Sequence, residues 1–238
     1  MTRQDFLRLS GFSCFALATR KLIAAVAPKR WAMAVDIARC QKQPNCVKCI
    51  DACRQIHNVP TLPDPRHEVR WIWKEPFAHV FGEQEDQYSS LRAAPTMLLC
   101  NQCDNPPCVR VCPTQATFKR DDGIVAMDWH RCIGCRYCMA ACPYGSRSFN
   151  WQDPRPFIHN ANPEFPTRTK GVVEKCNLCS ERLAVGRPPA CVEVCPEKAL
   201  VFGNLSDPNS EIRQLLQARR HVRRKPELGT RPQVFYIV

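Results

Sequence analysis

Glycine is scarce in this chain, with 9 residues of 238 against 21 prolines. That balance disfavours long regular elements and points to a loop-rich body. Aromatic residues make up only 8%, which leaves few flat side chains on which bases could stack. No apolar run reaches the roughly eighteen residues that a membrane-spanning helix needs, so the chain itself is not expected to cross a bilayer. The six histidines are scattered, and no catalytic constellation is visible. Ordinary apolar side chains are thin as well, because the 45% hydrophobic share counts 17 cysteines. Something besides burial must hold a fold of this size together, and two compact units are expected.

What the chain has instead is cysteine, in four sets of four after Cys14. The third set, Cys132, Cys135, Cys138 and Cys142, has the spacing C-x2-C-x2-C-x3-C-P of the bacterial ferredoxin run. The second is Cys100, Cys103, Cys108 and Cys112, spaced C-x2-C-x4-C-x3-C-P. The fourth is Cys176, Cys179, Cys191 and Cys195, spaced C-x2-C-x11-C-x3-C-P. The first, Cys40, Cys46, Cys49 and Cys53, reads C-x5-C-x2-C-x3-C and lacks the proline.

Three thiolates two or three residues apart can wrap one face of an iron–sulfur cubane, while the fourth, opening a helical turn, points away and reaches a neighbouring cluster. Gly134 suits a loop passing close to inorganic sulfide, and equally suits a plain turn. Two other uses of the cysteines are less favourable. A disulfide framework sits badly with an odd count and with partners two residues apart. Zinc takes four ligands in one site and not a triplet with a distant fourth. Cys14 is read as a small apolar residue of the N-terminal segment.

The formal charge of +12 ordinarily suggests nucleic acid or an anionic membrane surface. An internal explanation is preferred. A cubane with its four thiolates carries about −2 when oxidised and −3 when reduced, so four of them nearly cancel the excess Lys and Arg. No nucleic-acid partner is expected; the RRKPELGTR stretch is the exception to the internal explanation, and its plainer reading is a solvated tail.

Internal repeats organise the sets. "VDIARC" before Cys40 and "MDWHRC" before Cys132 share D-x-x-R-C, each behind a strand-like run. "CNQC" at 100 matches "CNLC" at 176, and "CVRVCPTQA" at 108 matches "CVEVCPEKA" at 191. Sets one and three are one related pair, two and four the other. Sets two and three are separated by a hairpin, ATFKR-DDG-IVAMDW, and are expected to form a contiguous unit over 96–150. Sets one and four then share an interleaved unit, 28–95 with 171–205, carrying an insertion at 54–95 whose GEQEDQYSS part is expected to be mobile. Residues 151–170, with four prolines, are read as a surface strap. The extension 206–238 should hold a helix capped by Ser210 and a closing strand, QVFYIV.

Residues 1–27 have a basic start, a moderately apolar stretch and the small-residue end A-V-A. They resemble a twin-arginine export signal, which delivers proteins already folded. Gln4 stands where the second arginine is expected, Arg20 and Lys21 interrupt the apolar stretch, and Pro28 follows the cleavage position. A periplasmic location is expected, the alternative being an uncleaved cytoplasmic segment.

These residues carry a resemblance to the four-cluster iron–sulfur subunits of membrane-linked oxidoreductases, the group that serves dimethyl sulfoxide, polysulfide and nitrite reductases. Within it, "CIDACRQIHNVP", "WIWKEPF", "CNQCDNPPCVRVCPTQATFKRDDGIVAMDWHRCIGCRYCMAACPYGSRSFNW" and "FPTRTKGVVEKCNLC" are similar to the DsrO branch, the ferredoxin-like subunits of the transmembrane complex associated with dissimilatory sulfite reductase. The resemblance implies an α+β, loop-rich fold of two pseudo-symmetric bacterial ferredoxin-like domains with four [4Fe-4S] clusters. It implies one cluster on Cys100, Cys103, Cys108 and Cys142, and a neighbour on Cys132, Cys135, Cys138 and Cys112. It implies the other two on Cys40, Cys46, Cys49 and Cys195, and on Cys176, Cys179, Cys191 and Cys53. It also implies a polytopic quinone-interacting membrane subunit and a multihaem cytochrome c subunit as partners, through which the chain sits peripherally on the inner membrane.

The chain is therefore expected to be an electron carrier without a catalytic site, relaying single electrons in sulfur or sulfite metabolism. The alternatives are the same role beside another molybdopterin, nitrite or polysulfide reductase, and, more remotely, a zinc or nucleic-acid-binding module. His57 and His130 are read as surface or hydrogen-bonding residues, since every set already has four thiolates. Arg131, Arg136 and Arg147 are candidates for tuning a nearby cluster, or for plain salt bridges.

Overall fold

The computed structural model describes residues 28–82 and 86–238. The expected export segment, Cys14 and residues 83–85 of the expected mobile stretch lie outside the described residues.

The chain opens with β1 (Trp31–Asp36), whose WAMAVD is apolar without alternation because both faces of the strand are covered. Asp36 turns it into α1 (Ile37–Gln41) by accepting the Arg39 N–H on its carboxylate at 3.0 Å. Next come α2 (Lys48–Ile56), β2 (Ile72–Pro76), α3 (Phe77–Val80) and β3 (Pro95–Leu99). The middle of the chain gives α4 (Pro107–Arg110), β4 (Thr117–Lys119), β5 (Val125–Met127) and α5 (Tyr137–Ala140). After β6 (Ser148–Phe149) and β7 (Val173–Glu174) follow α6 (Ser180–Ala184), α7 (Ala190–Glu193) and β8 (Leu200–Asn204). The C-terminal part holds α8 (Glu211–Ala218), β9 (His221–Val222) and β10 (Val234–Ile237).

Among the described residues, one four-stranded sheet, in the order β8-β1-β10-β9, and three two-stranded ribbons carry the fold. β10 runs parallel to β1 and lies between β1 and β9, so the closing strand is an interior strand of the sheet. On one side of the sheet, Ala32, Ala34, Val201, Phe235 and Ile237 pack with Ile212 of α8. On the other, Met33, Val35 and Tyr236 join the main core, which reaches Trp71 and Phe77 of the insertion and Leu98 of β3. Ser210 does stand at the N-cap of α8, but its side chain makes no cap bond there. Its hydroxyl donates instead to the Asn204 carbonyl at 2.7 Å, tying the helix start to the end of β8.

The repeats seen in the sequence have identical backbone joints. The N–H of Asp36 donates to the Ala199 carbonyl and the N–H of Asp128 to the Ala116 carbonyl, both at 2.7 Å. Asp128 repeats the carboxylate cap, accepting the His130 N–H at 3.0 Å. Gln115 and Lys198, at equivalent places after Cys112 and Cys195, both take positive φ, 53° and 48°. The D-x-x-R-C motif of set one thus meets the C-P-x-x-A end of set four in the way that set three meets set two.

Residues 151–170 pass over the surface but are pinned inward by two side chains, Phe165 and Arg168, 8% and 2% exposed. Arg168 forms a fully buried ion pair with Glu174 of β7 at 2.6 Å. Asn58 receives the Asn162 N–H at 2.7 Å and returns its amide to the Asn162 carbonyl at 2.9 Å.

Candidate metal centres

The sixteen cysteines of the four sets are all free thiols in the structure, and the fold regroups them across the sets. Cys40, Cys46 and Cys49 line one hollow with Cys195, under Lys74, Met97 and Leu200. Cys100, Cys103 and Cys108 line another with Cys142, walled by Val125, Tyr144 and Arg147. Cys132, Cys135 and Cys138 line a third with Cys112, walled by Met127, Ile133 and Val173. The remaining four, Cys176, Cys179, Cys191 and Cys53, meet where α2 packs on α7. These are here called the first, third, fourth and second quartets in that order.

Burial raises several of these thiols. It holds Cys53 and Cys191 well above the ordinary thiol range, and neighbouring cysteines of the second quartet add to the effect. Burial also pushes Cys49 up to about 11, and Cys103, Cys176 and Cys179 up to about 12. Such thiols stay protonated until a metal displaces the proton, which couples deprotonation to metal loading. Cys112 is shifted the opposite way. Burial opposes its ionisation, but hydrogen bonds from Thr117 and Thr114 outweigh that and bring it below the usual range.

The spread of the sulfurs decides which metal fits. Among the described residues no three cysteine sulfurs lie within 4.8 Å of one another. A tetrahedral zinc, with Zn–S near 2.3 Å, draws its sulfurs to about 3.8 Å apart. The quartets are too splayed for that, and an all-thiolate donor set suits a cubane held between the thiols.

The quartets follow one another in a row. Cys49 of the first acts on Cys53 and Cys191 of the second. Cys100 of the third acts on Cys176 of the second, and Cys108 of the third on Cys138 of the fourth. Several cationic side chains stand along this row, among them Arg182, which acts on Cys179. Lys74 donates to the Cys46 carbonyl at 2.5 Å beside the first quartet. Lys175, 1% exposed, lies between the second and third. Arg147, 5% exposed, reaches Cys108 and Cys138 and bonds the Thr117 hydroxyl at 3.1 Å.

The sequence candidates separate cleanly. Arg147 is buried between two quartets, whereas Arg131 is exposed and Arg136 lies over the Trp151 ring at 4.9 Å. His130 is exposed, but His57 is 1% exposed and so is no surface residue. One ring nitrogen of His57 meets Glu181 at 2.7 Å; the other lies 3.1 Å from the Cys53 carbonyl and 3.6 Å from its sulfur. Lys74, Lys175, Glu181 and Gln102 escaped the sequence reading. Lysines and glutamates are common throughout the chain, and Glu181 meets His57 across 124 residues, so no local pattern marks them.

Two overlapping stretches, residues 94–155 and 131–200, match models described as a 4Fe-4S dicluster domain. The chain is 41% identical to the Hdr-like menaquinol oxidoreductase iron-sulfur subunit 1 of Archaeoglobus fulgidus, over 99% of this chain and 97% of the relative. It is 34% identical to the menaquinone reductase iron-sulfur cluster-binding subunit of Nitratidesulfovibrio vulgaris, over 87% and 88%. It is 35% identical to the arsenate respiratory reductase iron-sulfur subunit ArrB of a Shewanella species, over 87% and 96%.

Proposed function

Because this chain belongs to the family of 4Fe-4S dicluster iron–sulfur subunits of oxidoreductase complexes, we propose that it holds four [4Fe-4S] clusters, one in each quartet, as an electron-transfer subunit. Bound there, the clusters supply reversible one-electron carriers, and their row makes the chain a relay between a donor and an acceptor. The chain's own residues do the rest. The cysteines hold and space the carriers, the apolar walls exclude water, and Lys74, Lys175 and Arg147 place positive charge against anionic sites. The single observation that carries this reading is the gathering of sixteen thiols into four quartets too wide for zinc.

The finer assignment rests on the relatives' names and on the sequence words. Two relatives named for menaquinol or menaquinone support a quinone-interacting membrane subunit as one partner, while only the sequence words and the N-terminal segment support a multihaem cytochrome c subunit as the other, in sulfur or sulfite metabolism on the periplasmic face. Among the described residues no helix is long and apolar enough to cross a membrane, which suits peripheral attachment through partners. The relative named for arsenate reduction supports the second reading, the same relay beside a molybdopterin reductase.

Anaerobic purification followed by iron and acid-labile sulfide analysis tests the assignment. The expected result is a brown protein with about sixteen irons and sixteen sulfides per chain, reducible in one-electron steps. A colourless chain carrying zinc, after assembly in a host competent for cluster insertion, sinks it.

A further inference from the structure

The joint between the second and third quartets differs from the other joints in the row. It is where the two pseudo-symmetric halves meet, since the repeat relates the second quartet to the third and the first to the fourth. A symmetric chain would place equivalent residues on both sides of this joint. "CNQC" at 100 follows Leu99, whereas "CNLC" at 176 follows Lys175. The structure buries both residues completely, at 0% and 1% exposure.

Lys175 is tied to both sides. Its Nζ donates to the Cys176 carbonyl at 2.8 Å and, more closely, to the Val125 carbonyl. Cys176 belongs to the second quartet, and Val125 walls the hollow of the third. Gln102, between Cys100 and Cys103, makes the matching clamp: its amide donates to the Cys176 carbonyl at 3.0 Å and its oxygen accepts the Val125 N–H at 2.8 Å. Gln102 already links the same two backbone segments through neutral groups. What Lys175 adds is a charge, and among the described residues no carboxylate pairs with it. An isolated buried ammonium is costly unless an anion balances it. The anions that can do so here are the two cluster sites on either side, each gaining one negative charge on reduction.

We propose that Lys175 is the electrostatic bridge of the central joint, a positioning residue whose ammonium favours the reduced state of the second- and third-quartet clusters over that of the outer two. The inference rests on the four-cluster reading. The asymmetry has a functional sense: one cation shared across a pseudo-twofold joint acts on both central carriers, where two facing lysines would repel each other.

The test is a redox titration of the purified, cluster-loaded protein followed by electron paramagnetic resonance, in wild type, Lys175→Met and Lys175→Arg. Iron and sulfide analysis of the wild type comes first; too little of either overturns the four-cluster reading before Lys175 is addressed. With full loading, Lys175→Met should make two of the four one-electron steps about tenfold harder to reduce at fixed potential, ~59 mV lower for a one-electron couple, and leave the other two in place. Lys175→Arg should keep all four steps near their wild-type positions. Should Lys175→Met lose iron, Lys175→Gln, which retains hydrogen-bond donors without the charge, is read in the same way. Unmoved steps in the uncharged variants, an equal shift of all four, or an equal shift in Lys175→Arg overturns the proposal.

Discussion

A β-carbon on Gly134 would fall inside the contact distance of the Gly171 carbonyl oxygen and 3.3 Å from the Phe149 ring. Gly134 lies in the third cysteine run and Gly171 at the end of the strap, so the constraint joins two segments that the chain separates. The sequence allowed two reasons for this glycine, close approach to sulfide or a plain turn. The turn is present, with φ of +70°, and the crossing backbone of Gly171 is the further reason no side chain is tolerated.

Gly134→Ala should therefore cost about 2–4 kcal/mol, combining left-handed strain with overpacking against rigid backbone. Gly171→Ala meets nothing within 4 Å and carries only the strain of φ +89°, at about 1–2 kcal/mol. Denaturant midpoints of the two variants, measured anaerobically with clusters retained, should rank them in that order.

Arg168 and Glu174 form an ion pair with no solvent exposure on either side chain. Arg168 also lies over the Trp71 and Trp129 rings at 5.4 and 5.5 Å, and Glu174 accepts the Trp71 indole N–H at 3.0 Å. Removing one partner leaves the other charge buried alone. Arg168→Met or Glu174→Gln should each lose about 3–5 kcal/mol, while the double variant should lose less than the sum. A double-mutant cycle on unfolding free energies checks this, and strict additivity contradicts it.

Truncation after Thr230 should be far more damaging than loss of a tail. It removes β10, whose Val234, Phe235, Tyr236 and Ile237 are all buried, from between β1 and β9. Each such side chain contributes about 1.5–3 kcal/mol, so the module of sets one and four should fail to hold together. The expected outcome is insoluble protein or a loss of about half the iron, measured on the soluble fraction.

Single ligand replacements test the proposed pairing across sets. Cys142→Ser should disturb the cluster of Cys100, Cys103 and Cys108, and Cys112→Ser that of Cys132, Cys135 and Cys138. If each run instead binds its own cluster, Cys142→Ser and Cys135→Ser should change the same redox step. Comparing which step shifts or vanishes in Cys142→Ser, Cys108→Ser and Cys135→Ser separates the two arrangements.

The sequence by itself determined the cysteine chemistry, the internal repeat, and several short elements: the hairpin of β4 and β5, the strand-like run before set one, the helix that starts after Ser210, and the closing strand QVFYIV. All of these follow from spacing or alternation within a few residues, which is where sequence pattern acts directly. Tertiary structure alone decided that β10 enters the sheet beside β1, that Phe165 and Arg168 turn the strap inward, and that His57 meets Glu181. It also decided that Lys175, an ordinary-looking lysine in a loop, lies between two quartets. Those arrangements join residues far apart in the chain, and their energies come from burial and from charges brought together only when the whole molecule closes.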